Sequence, residues 1–199
     1  MRHTLLFTVI LLSVLLAGCK EGKLNVASLK IEMQENPEGL STLTPRFSWQ
    51  ISSNSPDLIQ QSYQIQVARS EDDLKKEVNL LWDSGIVSSD ESVLISYQGQ
   101  PLSSGDKYFW RVKVETNQGN SNWSKVHHWS MALLNDSEWQ AKWIGEDSLS
   151  NPCETDKDNT RLAARYLRKP FETKKSKIHR AVLYVAGLGA HEAYLNGKR

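Results

Sequence analysis

The chain has 199 residues, 24 of them basic and 23 acidic, which gives a formal charge of +1. This length fits one or two small domains, and 39% of the residues are hydrophobic. A near-neutral charge without a Lys/Arg cluster excludes the electrostatic signature of nucleic-acid binding or of attraction to an anionic membrane. Ordinary counts of Gly (11) and Pro (6) exclude collagen-like and low-complexity chains. We therefore expect no nucleic-acid partner.

The amino terminus has the organisation of an export signal. Residues 5–17 are almost all apolar and follow Arg2, but the run is shorter than the roughly 20 apolar residues that span a membrane. The sequence Leu16-Ala17-Gly18-Cys19 resembles the lipobox of bacterial lipoproteins, which implies cleavage after residue 18 and acylation of Cys19. We expect membrane lipid as a partner and a bacterial cell-envelope location, at the outer membrane or facing the periplasm. The alternative is ordinary secretion with a chance cysteine.

Residues 24–131 have the pattern of short β-strands. Apolar side chains alternate with polar ones at a period of two, and helical spacing is limited to residues 71–78. Two weaker strand candidates are residues 80–87 and 126–131. The clearest strands contain the runs Leu29/Ile31/Met33, Phe47/Trp49/Ile51, Tyr63/Ile65/Val67, Val93/Ile95/Tyr97 and Tyr108/Trp110/Val112/Val114. This pattern favours an all-β fold with a β-sandwich at residues 19–131, and with two in-phase tryptophans, Trp49 and Trp110, in its core.

The later strands of this region resemble those of a fibronectin type III or immunoglobulin-like module. Leu102 precedes Tyr108 by six residues, a spacing that would form a tyrosine corner. Arg111-Val112 and Gly119-Asn120-Ser121-Asn122-Trp123-Ser124 extend the resemblance. Such modules act as spacers or binding platforms, so the fold alone assigns no function.

A second domain is expected after an interdomain segment at residues 132–145. Strand patterns return at residues 165–173 and 181–186, the latter apolar on both faces. Asn196-Gly197 predicts a two-residue type I′ hairpin, and no return strand follows it. Because an unpaired strand does not close a core, we expect residues 146–199 to be the incomplete start of a jelly-roll-like β-sandwich domain in a longer polypeptide. The alternative is a flexible tail.

The sequence contains no recognisable catalytic or metal-binding set. His127 and His128 are adjacent, so on a strand they point to opposite faces and do not chelate one metal. Cys153 has no disulfide partner once Cys19 is acylated. Carboxylates such as Asp83 are interpreted as surface loop groups, and no pair suited to glycoside hydrolysis can be identified. We therefore predict no catalytic residue, no metal and no cofactor in this chain.

Two of the seven tryptophans lie in the expected interdomain segment. Flat aromatic rings can stack on other flat or apolar surfaces, including the apolar faces of sugars. We expect Trp139 and Trp143 to pack between domains. They are also the carbohydrate-contact candidates of this chain.

Segments along nearly all of the mature chain resemble, in order and spacing, the amino-terminal region of bacterial α-L-rhamnosidases. In the first region they are Pro45-Arg46-Phe47-Ser48-Trp49, Gln61-Ser62-Tyr63-Gln64-Ile65-Gln66-Val67-Ala68, Leu81-Trp82-Asp83-Ser84-Gly85, Tyr108-Phe109-Trp110-Arg111-Val112 and Glu138-Trp139-Gln140-Ala141-Lys142-Trp143-Ile144. In the second they are Tyr166-Leu167-Arg168-Lys169-Pro170-Phe171, Ala181-Val182-Leu183-Tyr184-Val185 and Glu192-Ala193-Tyr194-Leu195-Asn196-Gly197. The resemblance implies an inverting glycoside hydrolase that removes terminal α-L-rhamnose from plant-type glycans or glycosides. It places the catalytic acid and base in a downstream α/α barrel.

Three hypotheses follow from these patterns. The first is the lipid-anchored, non-catalytic front part of an α-L-rhamnosidase, inactive by itself, whose full-length form takes a rhamnose-containing glycan as substrate. The second is a non-catalytic surface lipoprotein that binds carbohydrate or a protein partner through its sandwich modules. The third is an accessory region of another multidomain glycosidase. Saturable glycan binding to an exposed aromatic row would favour the second hypothesis.

Overall fold

A computed structural model describes residues 24–54, 56–145, 166–173 and 177–199 of the chain. Within these residues the regular elements are almost entirely strands, so the predicted all-β class is confirmed. The helix α1 spans Glu71–Lys76, and a 3-10 turn spans Asp136–Glu138. The strands are β1 (Asn25–Ile31), β2 (Arg46–Ser52), β3 (Gln60–Ala68), β4 (Trp82–Asp83), β5 (Val87–Ser88), β6 (Ile95–Ser96), β7 (Lys107–Thr116), β8 (Gly119–Asn120) and β9 (His127–Ser130).

The strands form two antiparallel sheets. In the smaller sheet, β2 lies between β1 and β6. In the larger sheet, β3 pairs with β7 from Gln60–Thr116 to Ala68–Phe109. The short strands β4 and β5 also pair with β3, while β8 and β9 pair with β7. The two longest strands, β3 and β7, therefore hold the larger sheet together.

The hydrophobic core lies between the two sheets and is rich in aromatic rings. Phe47 of β2 faces Trp110 of β7, with ring centroids 4.7 Å apart. Trp49 and Trp110 are 2% and 1% exposed, so their predicted core positions are confirmed. The buried Trp49 indole also donates a 3.0 Å hydrogen bond to the Gln60 Oε1 atom, which satisfies its polar nitrogen. The inward-facing apolar residues of the strands thus form one contiguous core.

The predicted tyrosine corner is present. Tyr108 is fully buried, and its hydroxyl accepts a 2.7 Å hydrogen bond from the Ser103 backbone N–H. Leu102, next to that N–H, is also buried. This contact ties the chain entering β7 to the middle of the core, as the six-residue spacing indicated.

Two residues assigned to strand runs, Met33 and Val93, are exposed. Met33 is 55% exposed because β1 ends at Ile31, and Val93 is 58% exposed because β6 contains only Ile95–Ser96. The backbone explains both errors. Met33 has φ of 64° and Leu94, beside Val93, has φ of 57°. Left-handed backbone of this kind interrupts the alternation of faces on which the pattern depends.

The predicted helix over residues 71–78 forms but is shorter. It begins after Ser70, whose hydroxyl accepts a hydrogen bond from the Asp73 backbone N–H. It ends at Lys76 because Glu77 adopts left-handed backbone with φ of 55°. Leu74 is its buried residue.

The chain divides into two compact units, residues 1–143 and 144–199. Their boundary falls inside the segment 132–145 that was predicted to link domains. The detailed division into residues 1–18, 19–131, 132–145 and 146–199 stays a prediction. In the described residues, no helix is long and apolar enough to cross a membrane.

The described part of the second unit has little regular structure. The predicted strands at residues 165–173 and 181–186 are wrong for the described residues, because no strand is present at 166–173 or 181–186. Leu183 there is 70% exposed rather than buried on both faces. The predicted hairpin turn is present, since Leu195 and Lys198 exchange backbone hydrogen bonds of 2.8 and 3.0 Å. Asn196 and Gly197 have φ of 51° and 78°, positive as a type I′ turn requires.

Candidate functional site

A polar cluster with one large aromatic ring covers the outer face of the larger sheet. Residues of β3 and β7 that alternate with core residues point to this face. In the strand register, Gln66 lies opposite both Arg111 and Asp83, and Gln64 lies opposite Lys113. We call the set the outer-face cluster; it comprises Gln64, Gln66, Glu77, Asp83, Arg111, Lys113 and Trp123.

Arg111 is the most buried charged group of the outer-face cluster. Its side chain is 9% exposed, and its Nε and Nη2 atoms donate hydrogen bonds of 3.0 and 2.7 Å to Gln66 Oε1. Nη2 also donates to a Glu77 carboxylate oxygen at 2.8 Å. Burial lowers the pKa of Arg111, and the Glu77 charge only partly offsets this effect. The guanidinium is therefore fixed in one orientation by neighbours on β3 and at the end of α1.

Asp83 is more organised than the loop carboxylate that the sequence suggested. Its Oδ1 atom accepts hydrogen bonds from Gln64 Nε2 at 2.6 Å and from the Gly85 backbone N–H at 2.9 Å, and its Oδ2 atom accepts from Gln66 Nε2 at 2.9 Å. Burial tends to raise its pKa, but these hydrogen bonds and the nearby Lys113 charge outweigh burial and lower it. Asp83 is therefore held as an anion.

Trp123 lies above two cations of β7. The loop between β8 and β9 carries it, and its half-buried ring centroid is 4.2 Å from the Arg111 Cζ atom and 4.7 Å from the Lys113 Nζ atom. Both distances are within the range of cation–π attraction. Arg111 and Lys113 are two residues apart on one strand, so they lie on the same face of the sheet. This places a flat aromatic surface over the sheet.

The cluster offers binding chemistry rather than acid–base chemistry. A glycosidase needs one carboxyl group whose pKa is raised so that it stays protonated. The pKa of Asp83 moves in the opposite direction. Amides, an ammonium group, a carboxylate and an indole ring can instead hydrogen bond to and stack on a polar ligand. Trp123 was not predicted as a functional residue, because its place over the face that β3 and β7 share depends on strand register and not on a local pattern.

The adjacent histidines lie on β9 and face different surroundings. His128 contacts the Phe109 ring, with centroids 6.0 Å apart, and its Nε2 atom is 3.8 Å from a Glu38 carboxylate oxygen. The Nδ1 atom of His127 is buried without a hydrogen-bond partner among the described residues. Burial lowers the pKa of both histidines. In the described part of the chain, no group of three or more potential ligands could hold a metal ion.

The predicted carbohydrate-contact residues lie near the end of the first unit. Trp139 follows the 3-10 turn and is 41% exposed, and Trp143 is 72% exposed. Glu138, beside Trp139, anchors this segment by accepting hydrogen bonds from the Ser104 hydroxyl at 2.6 Å and the Leu134 backbone N–H at 3.0 Å. The assignment of Trp139 and Trp143 as sugar contacts stays a prediction. The predicted lipidation residue, Cys19, lies outside the described residues, as does Cys153.

The first unit matches a known domain family. The family described as "Rha78A-like, N-terminal immunoglobulin domain" matches residues 26–135. The chain belongs to this family. The match covers the two sheets and the outer-face cluster, so the β-sandwich described above is this immunoglobulin domain.

The relatives of this immunoglobulin-domain chain are much longer proteins. One α-L-rhamnosidase of Formosa agariphila is 39% identical over 82% of this chain and 18% of its own length. A second from the same organism is 33% identical over 99% of this chain and 23% of its own length. The crystal structure of Streptomyces avermitilis α-L-rhamnosidase complexed with L-rhamnose superposes with a TM-score of 0.58, at 41% identity over 61% of this chain and 12% of that one. The chain thus spans about a fifth of the length of the curated relatives it matches.

Proposed function

We propose that this chain is the amino-terminal, non-catalytic part of an α-L-rhamnosidase that removes terminal α-L-rhamnose from plant-type glycans or glycosides with inversion. One observation carries the proposal. The chain contains the immunoglobulin domain of the Rha78A-like family, and it aligns over 99% of its length with an α-L-rhamnosidase while covering only 23% of that protein. The relative's remaining length is sufficient for a separate catalytic domain.

The organisation of the described carboxylates supports a non-catalytic role. Inverting glycosidases place an acid and a base about 6.5 to 9.5 Å apart, with one carboxyl group protonated. Here two of the described carboxylates, Glu32 and Asp83, are occupied by structural contacts. Glu32 pairs with Arg46 at 2.6 Å, and Asp83 accepts hydrogen bonds from two glutamines. Hydrogen bonds from Arg46 lower the pKa of Glu32, so it too stays ionised.

The activity of the isolated chain tests its part in catalysis. We expect the purified chain to release no nitrophenol from nitrophenyl α-L-rhamnopyranoside above the rate without protein. The positive control is a full-length relative assayed under the same conditions. A rate proportional to the concentration of this chain would contradict the proposal.

The gene downstream of the codon for Arg199 tests membership of a larger enzyme. We expect the reading frame to continue for several hundred codons into a helix-rich region with paired carboxylates. A stop codon, together with an intact mass equal to that of the lipidated chain, would overturn the enzyme proposal. It would favour the second candidate, a surface lipoprotein that binds carbohydrate, for which the exposure of Trp139 and Trp143 is the supporting observation.

We also propose that Cys19 carries a lipid anchor and that the protein resides in the bacterial cell envelope, at the outer membrane or facing the periplasm. The lipobox-like sequence Leu16-Ala17-Gly18-Cys19 supports this. Cells fed labelled palmitate should incorporate label into the protein, and Cys19→Ser should abolish incorporation. Cys153→Ser is the matched control and should retain the label. Equal labelling of the wild-type protein and Cys19→Ser would contradict the anchor.

A further inference from the structure

We propose that the outer-face cluster is a binding site for a neutral sugar ring, with the Trp123 indole as the stacking surface. The site lies in the first unit and uses residues of β3, β4, β7 and the loop between β8 and β9. It requires no hydrolysis by this chain, so it stands whether or not a catalytic domain follows. The ligand class is a neutral pyranoside with one apolar face and several hydroxyl groups.

The stacking surface is held in place from below. Arg111 and Lys113 lie under the ring, at 4.2 and 4.7 Å from its centroid. Arg111 is itself fixed by hydrogen bonds to Gln66 and Glu77. Trp123 is half-buried, so part of this residue remains accessible to a ligand. A ring that is already oriented loses little conformational entropy when a ligand stacks on it.

Unused hydrogen-bonding groups lie next to this surface. Among the described residues, the Lys113 ammonium group makes no hydrogen bond or ion pair. Gln64 lies opposite Lys113 in the sheet and donates to Asp83 through Nε2, which leaves its Oε1 atom without a donor in the described part of the chain. One donor and one acceptor thus lie side by side. A sugar hydroxyl both donates and accepts, so neighbouring hydroxyls can engage both groups.

The charges of the site favour a neutral ligand. Arg111 is neutralised by Glu77 at 2.8 Å, and Lys113 is balanced by the nearby Asp83 anion, which its charge stabilises. A carboxylate or sulfate that approached Lys113 would also approach Asp83, whereas a cation would approach Arg111 and Lys113. Like charges at short range oppose both types of ligand. A polyhydroxylated neutral ring avoids these penalties.

The fixed partners distinguish this site from a chance aromatic residue on the surface. Gln66 bridges the two charged halves, because its Oε1 atom accepts from Arg111 and its Nε2 atom donates to Asp83. Gln66 is buried, at 2% exposure. A hydrogen-bonded chain therefore runs from Glu77 through Arg111 and Gln66 to Asp83 and Gln64. Such a chain keeps the groups at fixed spacing before a ligand arrives.

The test is a titration of the full 199-residue chain with sugars, in which NMR monitors the indole N–H signals of the tryptophans. The probes are methyl α-L-rhamnopyranoside and methyl β-D-glucopyranoside, which are neutral, and sodium glucuronate, which is anionic. The Trp123 signal is assigned by its loss in Trp123→Phe. We expect this signal to shift saturably with at least one neutral sugar, with a dissociation constant on the order of millimolar.

Variants separate stacking from general effects on the fold. Their affinities are measured by isothermal titration calorimetry, because Trp123→Ala and Trp123→Phe lack the Trp123 signal. Trp123→Ala should weaken binding by about tenfold or more, whereas Trp123→Phe, which keeps an aromatic face, should weaken it by about threefold or less. Lys113→Met removes the free donor and keeps most of the stem, so it should also weaken binding by about threefold to tenfold. Tyr166→Ala is the matched control at an exposed aromatic residue of the second unit and should leave binding unchanged. If Trp123→Ala does not fold, Lys113→Met still decides the question.

Several outcomes would overturn the site. One is the absence of a saturable shift with both neutral sugars, and another is tighter binding of glucuronate than of either. Binding that survives Trp123→Ala in a folded protein but is lost in Trp143→Ala would instead place the sugar at the segment predicted from sequence. If Lys113→Met did not weaken binding, Lys113 would not hydrogen bond to the sugar and the proposed site would be wrong.

Discussion

The two units of this chain contain similar apolar residues, but these are buried in the first unit and exposed in the described part of the second. Ile65 and Val112, on the paired strands β3 and β7, are fully buried. In the second unit, Leu183 and Leu188 are 70% and 93% exposed. The difference lies in strand pairing. β3 has hydrogen-bonded neighbours in β4, β5 and β7, whereas the only bridge in the described part of the second unit joins Leu195 to Lys198.

This contrast shows that an alternating pattern specifies a face but does not supply the surface that covers it. A strand needs partner backbone on its edges and a second layer on its apolar side before burial stabilises it. Each large side chain left exposed forgoes roughly 1.5 to 3 kcal/mol of burial free energy. Four changes in the first unit, three of them with a matched change in the second, test how far the two units differ.

The largest difference is expected for removal of an aromatic side chain. Trp110→Ala removes a ring that is 1% exposed and packs on Phe47, so it should lower the free energy of unfolding by about 3 to 5 kcal/mol. Tyr166→Ala, at a residue that is 97% exposed, should change it by less than about 0.5 kcal/mol. Urea titrations measure both. Equal losses in the two variants would mean that the contrast between the units is wrong.

A smaller difference is expected for addition of a methyl group at a glycine. A Cβ atom at Gly99 would lie 2.5 Å from both the Trp82 Cβ atom and the Tyr97 hydroxyl oxygen, so Gly99→Ala should cost about 1 to 3 kcal/mol. Tyr97 is fixed there by a 2.8 Å hydrogen bond to the Gln100 carbonyl, and burial raises the pKa of its phenol to about 12. Gly145→Ala, with nothing within 4 Å of the new atom, should be neutral. If Gly99→Ala left the free energy of unfolding unchanged, Trp82 and Tyr97 would be able to move aside at little cost.

A still smaller difference in stability between the two units is expected for loss of one hydroxyl group. Tyr108→Phe removes the acceptor of the Ser103 N–H inside the tyrosine corner and should destabilise the first unit by about 1 to 2 kcal/mol. Tyr194→Phe, in the second unit, removes an exposed hydrogen bond to Glu192 and should change stability by less than about 0.5 kcal/mol. Thermal unfolding followed by near-UV circular dichroism measures both. A Tyr108→Phe variant as stable as the wild type would show that the tyrosine corner stabilises the unit by packing and not by its hydrogen bond.

The smallest effect on the free energy of unfolding is expected for a change in pH. Burial lowers the pKa of His127 and of His128 below the ordinary value of 6.5. The unfolded state therefore binds protons more readily, so the free energy of unfolding should fall as the pH drops below 6.5 and level off below the folded pKa values. A His127→Gln/His128→Gln double variant should lose this slope between pH 7 and 5.5. Persistence of the same slope in the double variant would assign it to other groups.

Much of the first unit followed from local pattern. Trp49 and Trp110 stand in phase with apolar neighbours, and Tyr108 stands six residues after Leu102. These relations are short-range, so a sequence records them directly. The errors at Met33 and Val93 arose where left-handed backbone broke the alternation, at Met33 and Leu94. Neither residue carries the Gly or Asn signal that usually marks such a conformation.

The candidate site was less accessible to sequence reasoning. Gln66, Arg111 and Trp123 come from different parts of the chain, and only the register of β3 against β7 brings the first two together. Trp123 reaches them through a loop. The polar residues that alternate with the core on both strands were the available signal for a shared face, but they did not indicate which pairs would touch.

The sequence by itself determined the strand periodicity, the buried tryptophans, the tyrosine corner, the first turn of α1 and the Asn196-Gly197 turn, because each depends on residues close along the chain. Only the tertiary structure decided which strands pair, where Arg111 finds Gln66 and Glu77, and how Trp123 comes to lie over Arg111 and Lys113. These contacts join residues ten or more positions apart. Their geometry depends on sheet register and core packing, and no local pattern records either one.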